Sequence, residues 1–343
     1  MKHFCFLAVV CVAIFLGSCK KENLSNTVLN STSAESLSTE ALAARTPKTR
    51  YGADIGSPPG TNDFNFQMNV AGQLGVSCLR AAVTAPSSKL GSNLVPELNT
   101  QYKVLLNFSS PGKGKKTIPF RTDTKQYKKD LNDVLNTFKV MPVVAVIENE
   151  ESNLAFYNGS AKEYITQLKA AIGVMHNRGI SVANGGITST GLCYLVYKDF
   201  LAQRKFDSAA LFKQQTLIEP DSAKTINRGM FIDTLLTNYA NINLNFVNFH
   251  WKATSPDTLS LHQVINYLKK RTGKKIISNE LGQLDYDTNT LLRHVQMCTN
   301  QFFPYIIWYS PDQDAGKRGT PLQYPDGTLT PTGIAYQSYL AGK

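Results

Sequence analysis

From Tyr51 to Lys343, short apolar runs alternate with longer amphipathic stretches. A run of four to eight apolar residues is typical of a buried strand, and apolar residues spaced three or four apart are typical of a helix. Their alternation predicts strand–helix units and a parallel sheet. The eight predicted strands are Tyr51–Ile55, Val76–Arg80, Lys103–Asn107, Pro142–Ile147, Ile180–Ala183, Leu244–Phe249, Lys275–Ser278 and Tyr305–Trp308.

Helical spacing predicts a helix after most of these strands. The clearest one covers 161–177 and is followed by Gly179, a common residue just beyond a helix end. The predicted helices lie near 63–74, 125–138, 161–177, 223–240, 260–271, 288–301 and 332–341.

The number of strand–helix units favours a closed barrel over an open sheet. Eight units in this length fit a (β/α)₈ TIM barrel, and we expect a single domain over 49–343. No Gly-x-Gly-x-x-Gly follows the first strand, so a dinucleotide-binding fold is disfavoured.

Carboxylates follow two of the predicted strands. Glu148, Glu150 and Glu151 come directly after the fourth strand, and Glu280 follows the seventh. Active sites of such barrels collect at the carboxyl ends of the strands. Strands four and seven lie on opposite walls of the barrel mouth, so a sugar ring can fit between their carboxylates, as a retaining glycosidase requires.

The segments Asn149-Glu150 and Glu280-Leu281-Gly282 resemble the active-site motifs of clan A glycoside hydrolases, a group of retaining (β/α)₈-barrel enzymes. In that clan the acid/base follows an asparagine at the end of strand four, and the nucleophile ends strand seven in a Glu-aromatic-Gly context. The resemblance covers Tyr51 to the C-terminus. It implies that Glu150 is the acid/base, with a raised pKa, and that Glu280 is the nucleophile.

The same resemblance implies substrate-binding roles for five residues. Arg80 ends strand two, where the clan commonly has an arginine that supports the nucleophile, and Asn149 would bond the 2-hydroxyl of the sugar. His250 and Trp251 look like the clan's His-x-Tyr segment near the nucleophile. Trp308 stands where the clan has a tryptophan platform under the sugar.

Alternatives remain for several of these residues. Glu151 stands where proline often follows the Asn-Glu pair, and Glu148 shares a face with Glu150 by strand alternation, so both are rival carboxylates. His250 could be a core histidine bonded to the backbone, and Trp308 could fill the barrel. Arg80 could form a structural salt bridge, and Leu281 replaces the clan's aromatic residue.

Other chemistries lack the residues they need. No second histidine or cysteine has ligand spacing to His250, so we expect no metal and no cofactor. The sequence has no Gly-x-Ser-x-Gly for a serine nucleophile. The three cysteines beyond residue 19, which are Cys78, Cys193 and Cys298, lie in apolar contexts and are expected to be buried free thiols.

The chain is basic, with a formal charge of +11. Lysines and arginines cluster in 113–116 and in 269–275, which could meet an anionic lipid, nucleic acid or polysaccharide, or could be a solvated surface. Since there is no nucleic-acid motif, we expect no nucleic-acid partner. We also expect a monomer.

The first 18 residues have the pattern of a secretory signal peptide, with Lys2 followed by an apolar run that is too short to span a bilayer. Leu16-Gly17-Ser18-Cys19 resembles the bacterial lipobox, which implies lipid attachment at Cys19. Residues 19–48 are polar and lack aromatic residues, so they are predicted to be a flexible tether. We expect the protein in the cell envelope, attached to the membrane by lipid and in the outer membrane.

Together these patterns predict a retaining hydrolase of β-linked oligo- or polysaccharides. The alternative is a non-catalytic glycan-binding envelope lipoprotein that keeps the barrel without its carboxylate geometry.

Overall fold

In the computed structural model, eight parallel strands pair in sequence order and close into a barrel. The structure describes residues 48–58, 61, 63–86, 101–110, 117–254, 257, 259–310 and 320–343. The last strand pairs with the first, with Arg50 opposite Tyr305. The predicted (β/α)₈ barrel is therefore confirmed. The strands are β1 (Arg50–Ile55), β2 (Cys78–Thr84), β3 (Lys103–Ser109), β4 (Val144–Ile147), β5 (Ser181–Asn184), β6 (Phe246–Ala253), β7 (Lys275–Gln283) and β8 (Tyr305–Ser310).

Helices flank the barrel, and two of those in the described residues were not predicted. Neither helix has a side-chain cap at its start, because the side chains of Thr188 and Lys205 make no hydrogen bond to the first turn. The described helices are α1 (Phe64–Leu74), α2 (Thr124–Leu135), α3 (Ala161–His176), the unpredicted α4 (Ser189–Ala202) and α5 (Phe206–Thr216), α6 (Ala223–Asn241), α7 (Ser260–Thr272), α8 (Thr288–Asn300) and α9 (Pro331–Ala341).

Helix α3 illustrates how local sequence sets these boundaries. Ser160 caps its start by accepting a hydrogen bond from the Glu163 backbone N–H, and the Glu163 carboxylate accepts one from the Ser160 N–H in return. The predicted apolar face is buried. Gly179, in the left-handed region at φ 70°, follows the end of the helix.

A small apolar cluster fills the barrel, separate from the larger core between the strands and the helices. Because successive strand residues point to opposite sides, the members of this cluster identify the inward positions of each strand. The cluster consists of Cys78, Leu105, Val144, Val146, Ala183, Ile277 and Ile307.

Further predictions concern the cysteines, membrane spans and the N-terminal segment. The three cysteines Cys78, Cys193 and Cys298 are buried free thiols, as expected. Within the described chain, no helix is long and apolar enough to cross a bilayer. The predicted signal peptide 1–18, the lipid site Cys19, the tether up to residue 47 and the basic run 113–116 lie outside the described residues.

The second basic cluster, 269–275, is engaged in structural contacts. Arg271 pairs with Asp233 at 2.7 Å, and the Lys274 ammonium donates to the Ile242 carbonyl oxygen at 2.9 Å. Lys269 donates to the carbonyl oxygen of Gln301 at 3.0 Å. These contacts agree with the solvated-surface interpretation of the cluster.

Gly52 in β1 gives a test of barrel packing. A Cβ built on Gly52 would lie 2.4 Å from the Cys78 carbonyl oxygen and 2.5 Å from Ile307 Cδ1, whereas one on Gly173 in α3 would meet nothing within 4 Å. We therefore expect Gly52→Ala to destabilise the fold by about 1–3 kcal/mol through overpacking. Gly173→Ala should stabilise it by up to about 1 kcal/mol. Urea denaturation measures both, and equal midpoints for the two variants would contradict the packing described for β1.

Candidate active site

A bulge in β7 turns Glu280 into the barrel mouth. Ile277 faces inward, so strict alternation would also place Asn279 inward and Glu280 outward. The pairing of β7 with β6 shifts register between Asn248 and His250, and Glu280 comes to lie opposite His250. Such a bulge re-aims a side chain, and here Asn279 and Glu280 both point inward.

Two cations hold the two carboxylate oxygens of Glu280. Arg80 Nη1 lies 2.7 Å from Oε2, and Lys252 Nζ lies 2.9 Å from Oε1. Burial raises the pKa of Glu280, but the charges of His250, Arg80 and Lys252 outweigh it and hold the pKa well below its usual range. These charges therefore favour the ionised form of Glu280.

A tight turn directly after β4 aims Glu150 at the mouth. Glu148 and Glu150 both have left-handed backbones, with φ 67° and 53°. The Glu148 carboxylate is buried under the turn, where it accepts hydrogen bonds from the Ser110 N–H at 2.9 Å and the Tyr157 hydroxyl at 3.0 Å. Gln167 donates to it as well. Because strained backbone persists only where surrounding contacts enforce it, the buried Glu148 anchors this turn.

The three carboxylates of this turn differ in exposure. Glu148 and Glu151 are each 1% exposed, whereas 20% of the Glu150 side chain is exposed. Of the three, Glu150 is the one that faces the site: its oxygens lie 2.7 Å from Asn153 Nδ2 and 3.2 Å from His250 Nδ1. Strand alternation does not apply to the rival Glu148, because β4 ends at Ile147.

Glu150, Glu280 and His250 converge on one point. One oxygen of each carboxylate and one ring nitrogen of His250 all lie within 4.8 Å of one another. Burial raises the pKa of Glu150, but the hydrogen bond and charge of His250 outweigh it and lower the pKa. The expected raised pKa of Glu150 is therefore wrong.

Asparagine side chains fix the tautomer of His250. Asn279 Nδ2 donates to Asn107 Oδ1 at 2.9 Å, so its Oδ1 is the atom that faces His250 Nε2, also at 2.9 Å. Nε2 must then carry a hydrogen, by the assignment that satisfies this network. The remaining nitrogen, Nδ1, is the one that faces Glu150.

Arg80 joins three strands of the mouth. Besides Glu280, its guanidinium contacts Asp54 at the end of β1 at 3.1 Å and donates to Asn149 Oδ1 at 2.7 Å. Burial raises the pKa of Asp54, against the charge of Arg80. The salt bridge that was one alternative for Arg80 is thus present, and its partner is Glu280.

The structure does not place at the mouth the two tryptophans that were predicted to contact sugar. Trp251 and Trp308 point away from the mouth into the core between strands and helices, where they are 2% and 0% exposed. Their indole N–H groups donate to Asp257 and to the Thr320 carbonyl oxygen. Because inward and outward positions alternate, Tyr309 is the β8 residue that faces the mouth.

Some residues of the mouth were not predicted from the sequence. They are Asp54, Asn107, Asn279 and Lys252, whose ammonium also lies 3.9 Å from the centre of the Tyr309 ring. The sequence did contain a signal for Lys252. Asn248, His250 and Lys252 are spaced two residues apart, as residues on one face of a strand are.

The same three groups could ligate a metal, since two carboxylates and an imidazole are a possible donor set. Two of the cations at the mouth already neutralise Glu280, and a dication there would be repelled by Arg80 and Lys252. The donor set is therefore better suited to proton transfer than to metal binding.

No protein-family model matches the sequence, and no curated protein matches it. Among solved structures, the barrel is similar to a GH128 subgroup I endo-β-1,3-glucanase from Amycolatopsis mediterranei in complex with laminarihexaose, with a TM-score of 0.51 and 12% identity over 85% of this chain and 99% of that one. The chain shares the (β/α)₈ barrel fold of this structure.

Two further structures support the same fold. A GH128 subgroup II endo-β-1,3-glucanase from Sorangium cellulosum has a TM-score of 0.52 and 13% identity over 84% of this chain and 98% of that one. An endo-1,4-β-D-mannanase from Thermotoga petrophila has a TM-score of 0.50 and 11% identity over 86% and 100%. Identities this low establish the fold and leave the activity to be argued from the site.

The buried carboxyl group of Glu151 should make the stability of the fold depend on pH. Its Oε1 accepts hydrogen bonds from Asn184 and from the Tyr239 hydroxyl, both at 2.7 Å, while Oε2 is buried with no hydrogen-bond partner among the described residues. Burial raises the pKa of Glu151 to about 7. The stabilisation of the fold by protonated Glu151 is therefore complete below about pH 4.5, the ordinary pKa of a glutamate. It is lost as the pH rises through about 7.

The variant Glu151→Gln keeps the shape of the neutral acid and cannot ionise. We expect its free energy of unfolding, relative to wild type, to increase from pH 5 to pH 8 by on the order of 3 kcal/mol. Denaturant titrations of both proteins across this range measure the difference. Parallel stability curves would show that Glu151 does not carry a buried proton.

Proposed function

We propose that this protein is a retaining glycoside hydrolase of β-linked glycans, with Glu280 as nucleophile and Glu150 as acid/base. The observation that carries the proposal is the 4.8 Å limit on the distance between a Glu150 oxygen and a Glu280 oxygen. Retaining enzymes hold the pair about 5–5.5 Å apart, whereas inverting enzymes hold it about 6.5–9.5 Å apart to admit a water.

In the first half of the reaction, a Glu280 oxygen attacks the anomeric carbon and forms an ester bond to it. The glycosidic C–O bond breaks, and its oxygen takes the proton of Glu150 as it leaves with the aglycone. The ionised state of Glu280 supports the role of nucleophile. Since Arg80 occupies Asn149 Oδ1, the amide nitrogen of Asn149 is the part that can donate to the 2-hydroxyl.

In the second half, Glu150 accepts a proton from water as the water oxygen attacks the anomeric carbon. The ester bond to Glu280 breaks, the carboxylate is restored, and one water has been consumed. The configuration at the anomeric carbon is retained because two inversions have occurred.

His250 supplies a reason why Glu150 can change protonation state. His250 Nδ1 and Glu150 Oε1 are 3.2 Å apart, within hydrogen-bond distance. The hydrogen bond and charge of His250 lower the pKa of Glu150. A bound sugar displaces water from the mouth, which disfavours the charged form of Glu150 and favours its protonation before the glycosidic bond breaks.

The lowered pKa of Glu150 is also the observation that favours the second candidate, a glycan-binding protein without turnover. Such a protein keeps the polar residues of the barrel mouth, but its Glu150 remains ionised and cannot protonate a leaving group. Binding of an oligosaccharide without any hydrolysis by the wild-type protein would select this alternative.

The roles of the carboxylates are tested with Glu150→Gln and Glu280→Gln on a panel of aryl β-glycosides and β-linked polysaccharides. We expect each variant to lose on the order of 10²–10⁴-fold in kcat/KM on polysaccharides. Aryl glycosides with good leaving groups need little acid assistance, so sodium azide should restore turnover of them by Glu150→Gln and give a glycosyl azide of retained configuration.

The matched control is Glu163→Gln, which replaces a solvent-exposed glutamate at the start of α3. Its activity should equal that of wild type. Unchanged activity in both Glu150→Gln and Glu280→Gln would reject the proposed mechanism.

We also propose that the barrel is held in the cell envelope by lipid on Cys19, as the lipobox resemblance implies. Metabolic labelling with palmitate should mark the wild-type protein and not Cys19→Ala. Equal labelling of both proteins would reject this attachment site.

A further inference from the structure

Lys252 reaches the nucleophile of the proposed reaction from β6. Its ammonium lies 2.9 Å from Glu280 Oε1 and over the ring of Tyr309, and 26% of its side chain is exposed. Arg80, which holds the other oxygen of Glu280, is only 9% exposed and is also tied to Asp54 and Asn149. Of the two cations, Lys252 is thus the one that can move.

The position of Lys252 conflicts with the attack by Glu280. When a carboxylate oxygen forms a bond to the anomeric carbon, it loses its negative charge, so an ammonium on that oxygen stabilises the ground state more than the transition state. Attack through Oε1 is therefore faster when Lys252 has left it. Lysine has a flexible four-carbon stem that permits such a movement.

A cavity of about 310 Å³, which Lys252 helps to line, offers a destination. Lys252 and Lys224 both line this cavity, together with the exposed residue Glu219. The second carboxylate of the lining, Asp257, already accepts hydrogen bonds from Trp251 and Ser260. Among the described residues, the lining includes neither Glu150 nor Glu280, and it carries the hydroxyls of Ser189, Thr190, Thr216, Thr225 and Thr254.

We propose that Lys252 selects a glycan with an anionic substituent, a uronate carboxylate or a sulfate, which takes the ammonium from Glu280 and binds beside this cavity. The inference rests on the proposed function for the role of Glu280 and names its substrate class. Lys224 lies on the same cavity and adds a second positive charge for such a group.

A neutral sugar would not serve equally well. An ammonium that leaves a carboxylate in a partly buried site loses a charge partner, and a hydroxyl does not replace the lost attraction. An anionic substituent does replace it. The basic balance of the chain, at a formal charge of +11, would also attract an acidic polysaccharide.

Binding affinities of matched oligosaccharides test the proposal. The probes are oligomers of galacturonate, glucuronate and mannuronate, sulfated galactan oligomers, and neutral gluco-, galacto- and manno-oligomers of equal length. Titration calorimetry is carried out in a Glu150→Gln background so that turnover does not consume the ligand. The uronate and sulfate arms distinguish the two kinds of anionic substituent.

At least one anionic oligomer should bind roughly ten- to a hundredfold more tightly than its neutral counterpart, the effect expected of a hydrogen bond to a charged group. Lys252→Met and Lys252→Gln should abolish this preference, and Lys252→Arg should retain it. The matched control Lys198→Met, which removes another lysine that lies over a tyrosine ring, should leave it unchanged.

Equal or tighter binding of every neutral oligomer would overturn the proposal, as would a preference that survives in folded Lys252→Met and Lys252→Gln. This failure is distinct from failure of the proposed function. Hydrolysis of neutral glycosides that depends on Glu150 and Glu280, without any anionic preference, rejects only the role of Lys252. An anionic preference in a wild-type protein that hydrolyses nothing rejects only the hydrolase.

Discussion

The ion pair between Arg80 and Glu280 is the interaction on which the rest of the mouth depends. A buried charge is tolerated only with a partner, and the guanidinium satisfies Glu280 while it also contacts Asp54 and Asn149. One side chain on β2 thereby ties together the ends of β1, β4 and β7. The charges of His250, Arg80 and Lys252 together keep Glu280 ionised.

Two irregularities of the backbone bring the carboxylates to this pair. The bulge in β7 turns Glu280 inward, and the left-handed turn after β4 turns Glu150 towards it. Both departures from regular structure cost free energy, of order 1–3 kcal/mol for each left-handed residue, and are maintained by buried contacts such as those of Glu148. The regular barrel supplies the frame, and the irregular positions supply the chemistry.

The sequence pattern was sufficient for the barrel because apolar runs and amphipathic stretches follow directly from burial on one or both faces. It was also sufficient to bring Glu150, Glu280, Arg80, Asn149 and His250 to one mouth, since strand ends in such a barrel meet at one side.

The sequence pattern failed for Trp251 and Trp308, because the strands continue past the predicted ends and alternation carries both rings outward. It missed Lys252 for the same reason: the predicted sixth strand stopped at Phe249, three residues short of it. Helix α5 follows Lys205, which is not a capping residue type, so no capping signal marks its start.

Covalent labelling of Glu280 tests the central claim most directly. A 2-deoxy-2-fluoro glycoside with a good leaving group slows both steps of a retaining reaction, and the second step more than the first, so that the glycosyl ester accumulates. For the sugar that the protein hydrolyses, we predict a single glycosyl adduct in the intact mass spectrum, located on Glu280 by peptide fragmentation. A label on another carboxylate, or turnover that inverts the anomeric configuration without any adduct, would contradict the account.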